Sequence, residues 1–227
     1  MNVFRVIRLP DIFTLLNLLF GFMAILYSAG ANGVASPQYA LVFILLAAMA
    51  DGLDGLVARK MGGSPLGANL DSLADLVSFG LAPPFLAISA FHLPLYIWPI
   101  AIFFLFCGAL RLARFNIISA KSDRHFEGLP IPAAGLALSA SVLLGRPILT
   151  ILLMILLALL MTSSIPYPKI RDPRLMTVFS AVYILVAAVL LWSSEMEYVL
   201  FASLVLAALI LLYMISPVVT KCLRKEK

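Results

Sequence analysis

Long runs of apolar residues, separated by short polar turns, follow one another along almost the whole chain. A helix that crosses a membrane needs about 20 such residues, and fewer where protein covers part of it. Of the 227 residues, 63% are hydrophobic and only 12% are charged, whereas soluble domains are about 45–50% apolar and about 25% charged. One soluble core of this length cannot bury the excess. The sequence therefore predicts an all-α integral membrane protein built as a helical bundle.

Eight apolar runs are candidates for transmembrane helices. They cover roughly residues 12–29, 38–58, 69–91, 95–117, 131–145, 147–163, 175–192 and 196–216. The fifth and sixth runs are short and separated only by the letters GRP, so they are also compatible with one re-entrant pair. The first run begins beside Asp11 without a convincing cleavage site, which favours a retained helix over a signal peptide. Pro83 and Pro84 lie inside the third run and predict a kink.

The distribution of basic residues predicts the orientation. If the N-terminus is cytoplasmic, fifteen of the sixteen Lys and Arg residues fall on the cytoplasmic side, and only Arg146 falls outside. Because Lys and Arg accumulate on cytoplasmic loops, we expect a multi-pass protein of the cell membrane with both termini in the cytoplasm. The same residues, facing anionic lipid, account for the net charge of +5 without a nucleic-acid partner,. No internal repeat is evident, so residues 1–227 are expected to form one domain.

Four aspartates interrupt the second and third runs: Asp51, Asp54, Asp71 and Asp75. Spacings of three and four place each pair on one face of its helix. The turn between the runs, KMGGSPLG, is short and rich in glycine, so the two helices should be antiparallel neighbours. All four carboxylates are therefore expected to converge at the cytoplasmic end of the bundle.

Four anions in a poorly solvated place repel one another, so either some are protonated or cations lie among them. Oxygen ligands without His or Cys nearby favour Mg²⁺, Mn²⁺ or Ca²⁺, and four carboxylates suit two ions, as in many phosphoryl-transfer sites. Gly55, Ala58 and Gly67 leave room for a diphosphate, and Arg59 offers a cationic fork to phosphate oxygens. Helix packing by the small residues and a topogenic Arg59–Lys60 pair are the alternative interpretations.

The letters DGLDGLVAR, followed by Gly67, Asp71 and Asp75, resemble the signature of the CDP-alcohol phosphotransferases, D-x-x-D-G-x-x-A-R-x₈-G-x-x-x-D-x-x-x-D. One departure is that seven residues, not the family's usual eight, separate Arg59 from Gly67. This shortens the turn and leaves both spacings within the helices intact. The segments LPDIFTLLNLLFGFMAI, LDSLADLVSFGLAP, ALRLARFN, FEGLPIPAAG and SSIPYPK are most similar to the CDP-diacylglycerol–serine phosphatidyltransferases, or phosphatidylserine synthases, within this family.

The resemblance implies a six-helix family core over about residues 9–170, followed by two additional spans over about 175–216. It implies transfer of the phosphatidyl group from CDP-diacylglycerol to the hydroxyl of L-serine, with release of CMP. Family members are usually homodimers. Whether the donor carries ester-linked or ether-linked chains stays open, because the predicted lipid-facing residues are generic.

The resemblance also assigns roles to particular residues. Asp51, Asp54 and Asp71 would hold two divalent cations, with Asp75 close enough to ligate and also acting as the general base. The residues that would line the nucleotide and diphosphate site are Thr14, Asn17, Gly55, Ala58, Arg59 and Gly67. The carboxylate of serine needs a cation, and the residues themselves, not the resemblance, provide the candidates for binding it or the lipid phosphate: Arg111, Arg114, Asn116 and Lys169. Arginines near the end of a span can instead extend to lipid headgroups.

Two other functions remain open at this point. A family member can use another acceptor, such as glycerol 3-phosphate or an inositol phosphate, and the basic residues near the acids do not exclude it. A cation or proton transporter is a more distant alternative, since transporters place such acids near the midplane and often contain repeats. The four aspartates here lie near one surface.

Overall fold

A computed structural model describes residues 6–31, 33, 35–118, 125–168, 173–192 and 195–225. The α-helices are α1 (Leu9–Ala29), α2 (Pro37–Met61), α3 (Gly67–Asp75), α4 (Ala82–Ala90), α5 (Trp98–Ile118), α6 (Ile131–Leu143), α7 (Pro147–Thr162), α8 (Pro173–Trp192) and α9 (Met196–Lys225). A π-helical segment, Leu76–Leu81, joins α3 to α4, and a 3₁₀ turn, Leu95–Ile97, precedes α5.

Five stretches of these helices are long and apolar enough to cross a membrane. They are Leu9–Ala29, Pro37–Met61, Gly67–Ala90, Leu95–Ile117 and Glu197–Ile215. Three shorter apolar helices are Ile131–Leu143, Pro147–Thr162 and Thr177–Trp192. These helical stretches correspond to the predicted apolar runs, and the prediction of a helical, multi-pass membrane protein is confirmed. The exact number of crossings, the six-helix core and the orientation of the termini remain predictions.

The third run is one continuous helical rod, in which α3, the π-helical segment and α4 follow without a break. The prolines predicted to kink it remove two backbone N–H donors at positions 83 and 84. Directly before them, the N–H of Ala82 donates to the carbonyl of Val77, five residues earlier. The change that the prolines cause in the helix is therefore a π-helical segment, and this segment begins directly after Asp75.

Close backbone contacts fix this rod against its neighbours. A Cβ atom on Gly21 of α1 would lie 2.7 Å from the Cα of Ser78, and one on Gly135 of α6 would lie 2.9 Å from the carbonyl oxygen of Phe79. The Ser78 hydroxyl also donates to the carbonyl of Asn17 at 2.9 Å. Glycine thus allows α1 and α6 to pack against the rod that carries two of the four acids.

Two features differ from the sequence prediction. A two-stranded antiparallel sheet pairs β1 (His125–Glu127) with β2 (Pro166–Pro168) beside the bundle. Its strands were missed because each has only three residues and proline cannot donate to a ladder. The last helix continues to Lys225, past the predicted end of the apolar run at 216, because helix formation does not stop where hydropathy falls.

Candidate active site

The end of α2 and the start of α3 bring three carboxylates together. One oxygen from each of Asp51, Asp54 and Asp71 lies within 4.8 Å of the other two. Asp54 is buried, while Asp51 and Asp71 are half-buried. Only the five residues from Gly62 to Leu66 separate the two helices, which keeps the end of α2 close to the start of α3. The predicted convergence is confirmed for these three residues, which we call the acid cluster.

Asp75 lies one helical turn beyond Asp71 and is almost completely buried. It interacts electrostatically with Asp51 and Asp71 but is outside the group of three oxygens. Its Oδ1 accepts a hydrogen bond from Asn17 Nδ2 at 3.1 Å. Its environment thus differs from that of the other three acids, and its predicted role as a metal ligand stays a prediction.

Helix α1 supports one acid on each of the two neighbouring helices. Thr14 Oγ1 donates to Asp54 Oδ2 at 2.8 Å, and Asn17 makes the contact with Asp75 described above. Both side chains are buried, and their spacing of three places them on one face of α1,. The sequence indicated that these residues are near the site. It did not indicate which carboxylate each one contacts.

Two oxygen atoms at the site are buried and have no hydrogen-bond partner among the described residues: Asp71 Oδ1 and Asn17 Oδ1. A buried polar atom without a partner is costly. A cation bound to the acid cluster would satisfy the Asp71 oxygen and reduce the repulsion between the carboxylates. Because every donor in the cluster is a carboxylate oxygen, the site fits a hard divalent cation.

The turn between α2 and α3 is held by the start of α1. Asp11 Oδ1 accepts a hydrogen bond from Ser64 Oγ at 2.8 Å, and Asp11 Oδ2 accepts one from the Arg8 N–H at 2.7 Å. The Arg8 guanidinium donates to the carbonyl of Gly63 at 2.9 Å. In the sequence, Asp11 only marks the start of the first apolar run. An acid in the first turn of a predicted helix, three residues after the N-cap Arg8, is the sequence signal that indicates a capping role,.

The side of α2 nearest the turn has room for a ligand. A Cβ atom on Gly55 would meet no atom of the described residues within 4 Å, and one on Gly67 would make only ordinary contacts, the nearest with Asp11 Oδ1 at 3.5 Å. Ala58 is half-buried, and Arg59 is exposed in the last turn of α2. These four residues lie near the acid cluster in sequence, and open space is shown at Gly55.

Arg111 lies on the α5 side of the acids and is 6% exposed. It interacts electrostatically with Asp75 and Asp51. Its guanidinium carbon lies 5.5 Å from the centre of the Phe115 ring. Arg111 is therefore a buried cation beside Asp51, Asp71 and Asp75, and its predicted contact with an anionic substrate stays a prediction.

Arg114 instead binds backbone carbonyls. Its Nη2 donates to the carbonyls of Glu127, Met161 and Ser163 at 2.6, 3.1 and 3.0 Å, and its Nη1 donates to that of Thr162 at 3.2 Å. It thereby joins the end of α7 to strand β1. The sequence pattern placed Arg111 and Arg114 together, and the structure separates their surroundings.

Two further residues are predicted to bind serine or the lipid phosphate. Asn116 Nδ2 donates to Ser72 Oγ at 2.9 Å, so it links α5 to α3 between the two acids of that helix. Lys169 lies outside the described residues. Their predicted contacts with substrate stay predictions.

Comparison with protein families gives one match over most of the chain. Residues 7–166 match the family model described as CDP-alcohol phosphatidyltransferase. The matched segment contains all four aspartates, and it ends before α8 and α9.

Three similar proteins have names that describe a reaction. The CDP-diacylglycerol–serine O-phosphatidyltransferase of Methanocaldococcus jannaschii is 40% identical over 181 residues, which is 79% of this chain and 83% of the relative. The archaetidylserine synthase of Methanothermobacter thermautotrophicus is 38% identical over 72% of this chain and 71% of the relative. The CDP-diacylglycerol–serine O-phosphatidyltransferase of Bacillus subtilis is 37% identical over 72% of this chain and 91% of the relative.

Proposed function

The chain belongs to the CDP-alcohol phosphatidyltransferase family, and from this premise we propose that it transfers a phosphatidyl group to the hydroxyl of L-serine. The donor is CDP-diacylglycerol or its ether-lipid counterpart, and the products are phosphatidylserine, or its ether analogue, and CMP. The observation that carries the proposal is the meeting of Asp51, Asp54 and Asp71 beside Asp75. Serine is the acceptor named for the similar proteins.

The acid cluster is the proposed metal centre. Asp51, Asp54 and Asp71 would hold two divalent cations, Mg²⁺ or Mn²⁺, with Ca²⁺ as a further hard ion that fits oxygen ligands. Asp75, which interacts electrostatically with Asp51 and Asp71, is proposed to contribute to the same centre. When bound, the cations would neutralise the diphosphate and stabilise charge on the leaving CMP.

Asp75 is the proposed general base. The serine hydroxyl is a weak nucleophile at neutral pH, so its proton must pass to a base in hydrogen-bond reach as it attacks. The oxygen of serine forms a bond to the phosphorus that carries diacylglycerol, and the bond from that phosphorus to CMP breaks. The amide of Asn17 fixes one oxygen of the Asp75 carboxylate and so orients the group for this transfer.

Arg111 is the proposed contact for the anionic part of serine or for the lipid phosphate. Its burial beside Asp51 and Asp75 strengthens its interaction with an anion that enters the site,. Arg114 and Asn116 act mainly as positioning residues, because their side chains donate hydrogen bonds to the protein itself. Lys169 is kept as a further candidate from the sequence alone.

The diphosphate and nucleotide are assigned to the neighbouring end of α2. The open space at Gly55 allows a phosphate to approach the backbone, and Arg59 offers a bidentate donor at the water boundary,. Ala58 and Gly67 keep this region free of large side chains. Thr14 and Asn17 are assigned to the same site from the α1 side, where their side chains bind the carboxylates of Asp54 and Asp75.

We propose that the acid cluster lies at the cytoplasmic face of the cell membrane. Serine and CMP are soluble in water, and basic residues accumulate on cytoplasmic loops. A single domain, with a core of about residues 9–170 and a C-terminal pair of spans over about 175–216, is compatible with the helix order. We also expect a homodimer, as is usual in this family.

The experiment that tests the proposed function measures CMP release by the purified protein in detergent. CDP-diacylglycerol and Mn²⁺ or Mg²⁺ are supplied with serine, glycerol 3-phosphate or an inositol phosphate in separate reactions. Release that needs both serine and the metal supports the proposal. Release only with a phosphorylated acceptor would be compatible with the proposed metal centre and would show that serine is not the acceptor. No release with any acceptor would contradict the proposed reaction.

A further inference from the structure

A cavity of about 250 Å³ lies between α2, α6, α8 and α9. Its wall is mostly apolar, formed by residues such as Leu56, Ala133 and Leu136. Asp51 is the one carboxylate among its lining residues and also belongs to the acid cluster. An apolar space therefore borders the proposed catalytic centre.

The C-terminal helix pair α8–α9 forms a large part of this wall. It supplies six of the fifteen lining residues: Phe179, Ser180, Tyr183, Leu209, Ile210 and Tyr213. Both helices lie beyond residues 7–166, the segment that matches the family model. The cavity is thus closed by a part of the chain to which the family match assigns no role.

We infer that this cavity binds a hydrocarbon chain of the lipid donor, and that α8 and α9 select the donor by the length and shape of that chain. The inference rests on the proposed function. Among the reactants, serine and the cytidine nucleotide are polar throughout, so only the lipid has a part that gains free energy in an apolar space. A phosphate held beside Asp51 would place the attached glycerol and its chains next to the cavity.

The groups at the edge of the cavity occur in the order that a phospholipid requires. Tyr213 lines the cavity and interacts electrostatically with Arg111, which in turn interacts with Asp51. The Tyr213 ring also lies 5.8 Å from that of Tyr167, which holds it between β2 and the cavity. The order is therefore Arg111, then the amphipathic ring of Tyr213, then the apolar cavity. These suit the phosphate, the glycerol and the hydrocarbon chain of a phospholipid, in that order.

The test compares dioleoyl and dihexanoyl CDP-diacylglycerol as donors for Ser180→Trp, a substitution that fills the cavity. The KM for the dioleoyl donor should rise about tenfold, because the substitution leaves roughly two methylene groups of its chain unburied. The KM for the dihexanoyl donor should stay within about twofold. Ile184→Trp is the matched control, because Ile184 lies on the same helix with 54% exposure and does not line the cavity. Equal effects on both donors, or none on either, would overturn the inference.

A second measurement uses the unaltered protein and does not depend on activity. CDP-diacylglycerol with a photoactivatable diazirine near the end of one chain is irradiated with the protein, and labelled peptides are located by mass spectrometry. Labels on the cavity-lining parts of α8 and α9 that unlabelled dioleoyl donor removes support the inference. Labels elsewhere, or labels that competitor does not remove, contradict it. Failure of the proposed function is recognised separately, as absence of serine-dependent CMP release with either donor.

Discussion

The acid cluster and the C-terminal helix pair are built from opposite kinds of residue. Around the acid cluster and the neighbouring Asp75, a few buried polar side chains each have a specific partner, such as Thr14 with Asp54 and Asn17 with Asp75. The described part of α8 and α9 buries mainly aliphatic residues, including Val186 and Leu206. Interactions of the first kind depend on single atoms, whereas those of the second depend on shape. Substitutions at the cluster should therefore change the rate, and substitutions in the helix pair should change the choice of donor.

The largest effect is expected from Asp75→Asn. The amide retains the size of the side chain and removes the proposed proton acceptor, so kcat for serine-dependent CMP release should fall by about a thousandfold. Rates are measured with saturating donor, serine and Mn²⁺. A variant that keeps more than about a tenth of the rate would show that another group takes the proton.

A smaller effect is expected from Asn17→Ala, which removes the donor to Asp75. Loss of this charge-assisted hydrogen bond should lower kcat about tenfold with little change in the KM for the donor. Ser28→Ala is the control, because Ser28 is also buried on α1 but bonds to the carbonyl of Ala24 at the other end of the helix. Equal losses in the two variants would indicate a general packing defect.

Asp11→Asn tests the turn between α2 and α3 that positions the acid cluster. The amide offers one acceptor oxygen where the carboxylate offers two, so either the Ser64 or the Arg8 contact weakens. We expect kcat/KM to fall about threefold, and about tenfold for Asp11→Ala, which removes both contacts. The same CMP assay measures both. An Asn variant that is as impaired as the Ala variant would mean that the negative charge, not the hydrogen bonds, matters.

Arg114→Lys should have the smallest effect on kcat and a clear effect on stability. Lysine cannot reproduce a planar group that donates to four carbonyls, so the thermal unfolding midpoint in detergent should fall by about 5 °C,. Arg146→Lys, at an exposed turn between α6 and α7, should leave the midpoint unchanged. Equal midpoints for both variants would contradict the role of Arg114 in joining α7 to β1.

The sequence predicted those features that depend on strong local signals. Apolar runs identify the long helices, and two pairs of aspartates joined by a short turn predict the convergence of Asp51, Asp54 and Asp71. The signature that carries the family resemblance lies in the same stretch. These predictions needed only helix periodicity and the length of the turn.

Other features depend on contacts between residues distant in sequence. The spacing of Arg111 and Arg114 suggests one shared role, but the structure places one beside the acids and the other on carbonyls of α7 and β1. The contact of Asp11 with Ser64 and the apolar cavity beside Asp51 require several elements to come together. Hydropathy does not distinguish a residue that lines such a cavity from one that faces lipid.

The most direct test of the central claim measures metal binding and catalysis on the same samples. Binding of Mn²⁺ is followed by electron paramagnetic resonance, and serine-dependent CMP release is assayed, for the wild type, Asp54→Asn and Asp71→Asn. If the acid cluster is the metal-dependent catalytic centre, each substitution weakens Mn²⁺ binding and lowers release in parallel. Unchanged Mn²⁺ binding together with retained CMP release in both variants would contradict the claim.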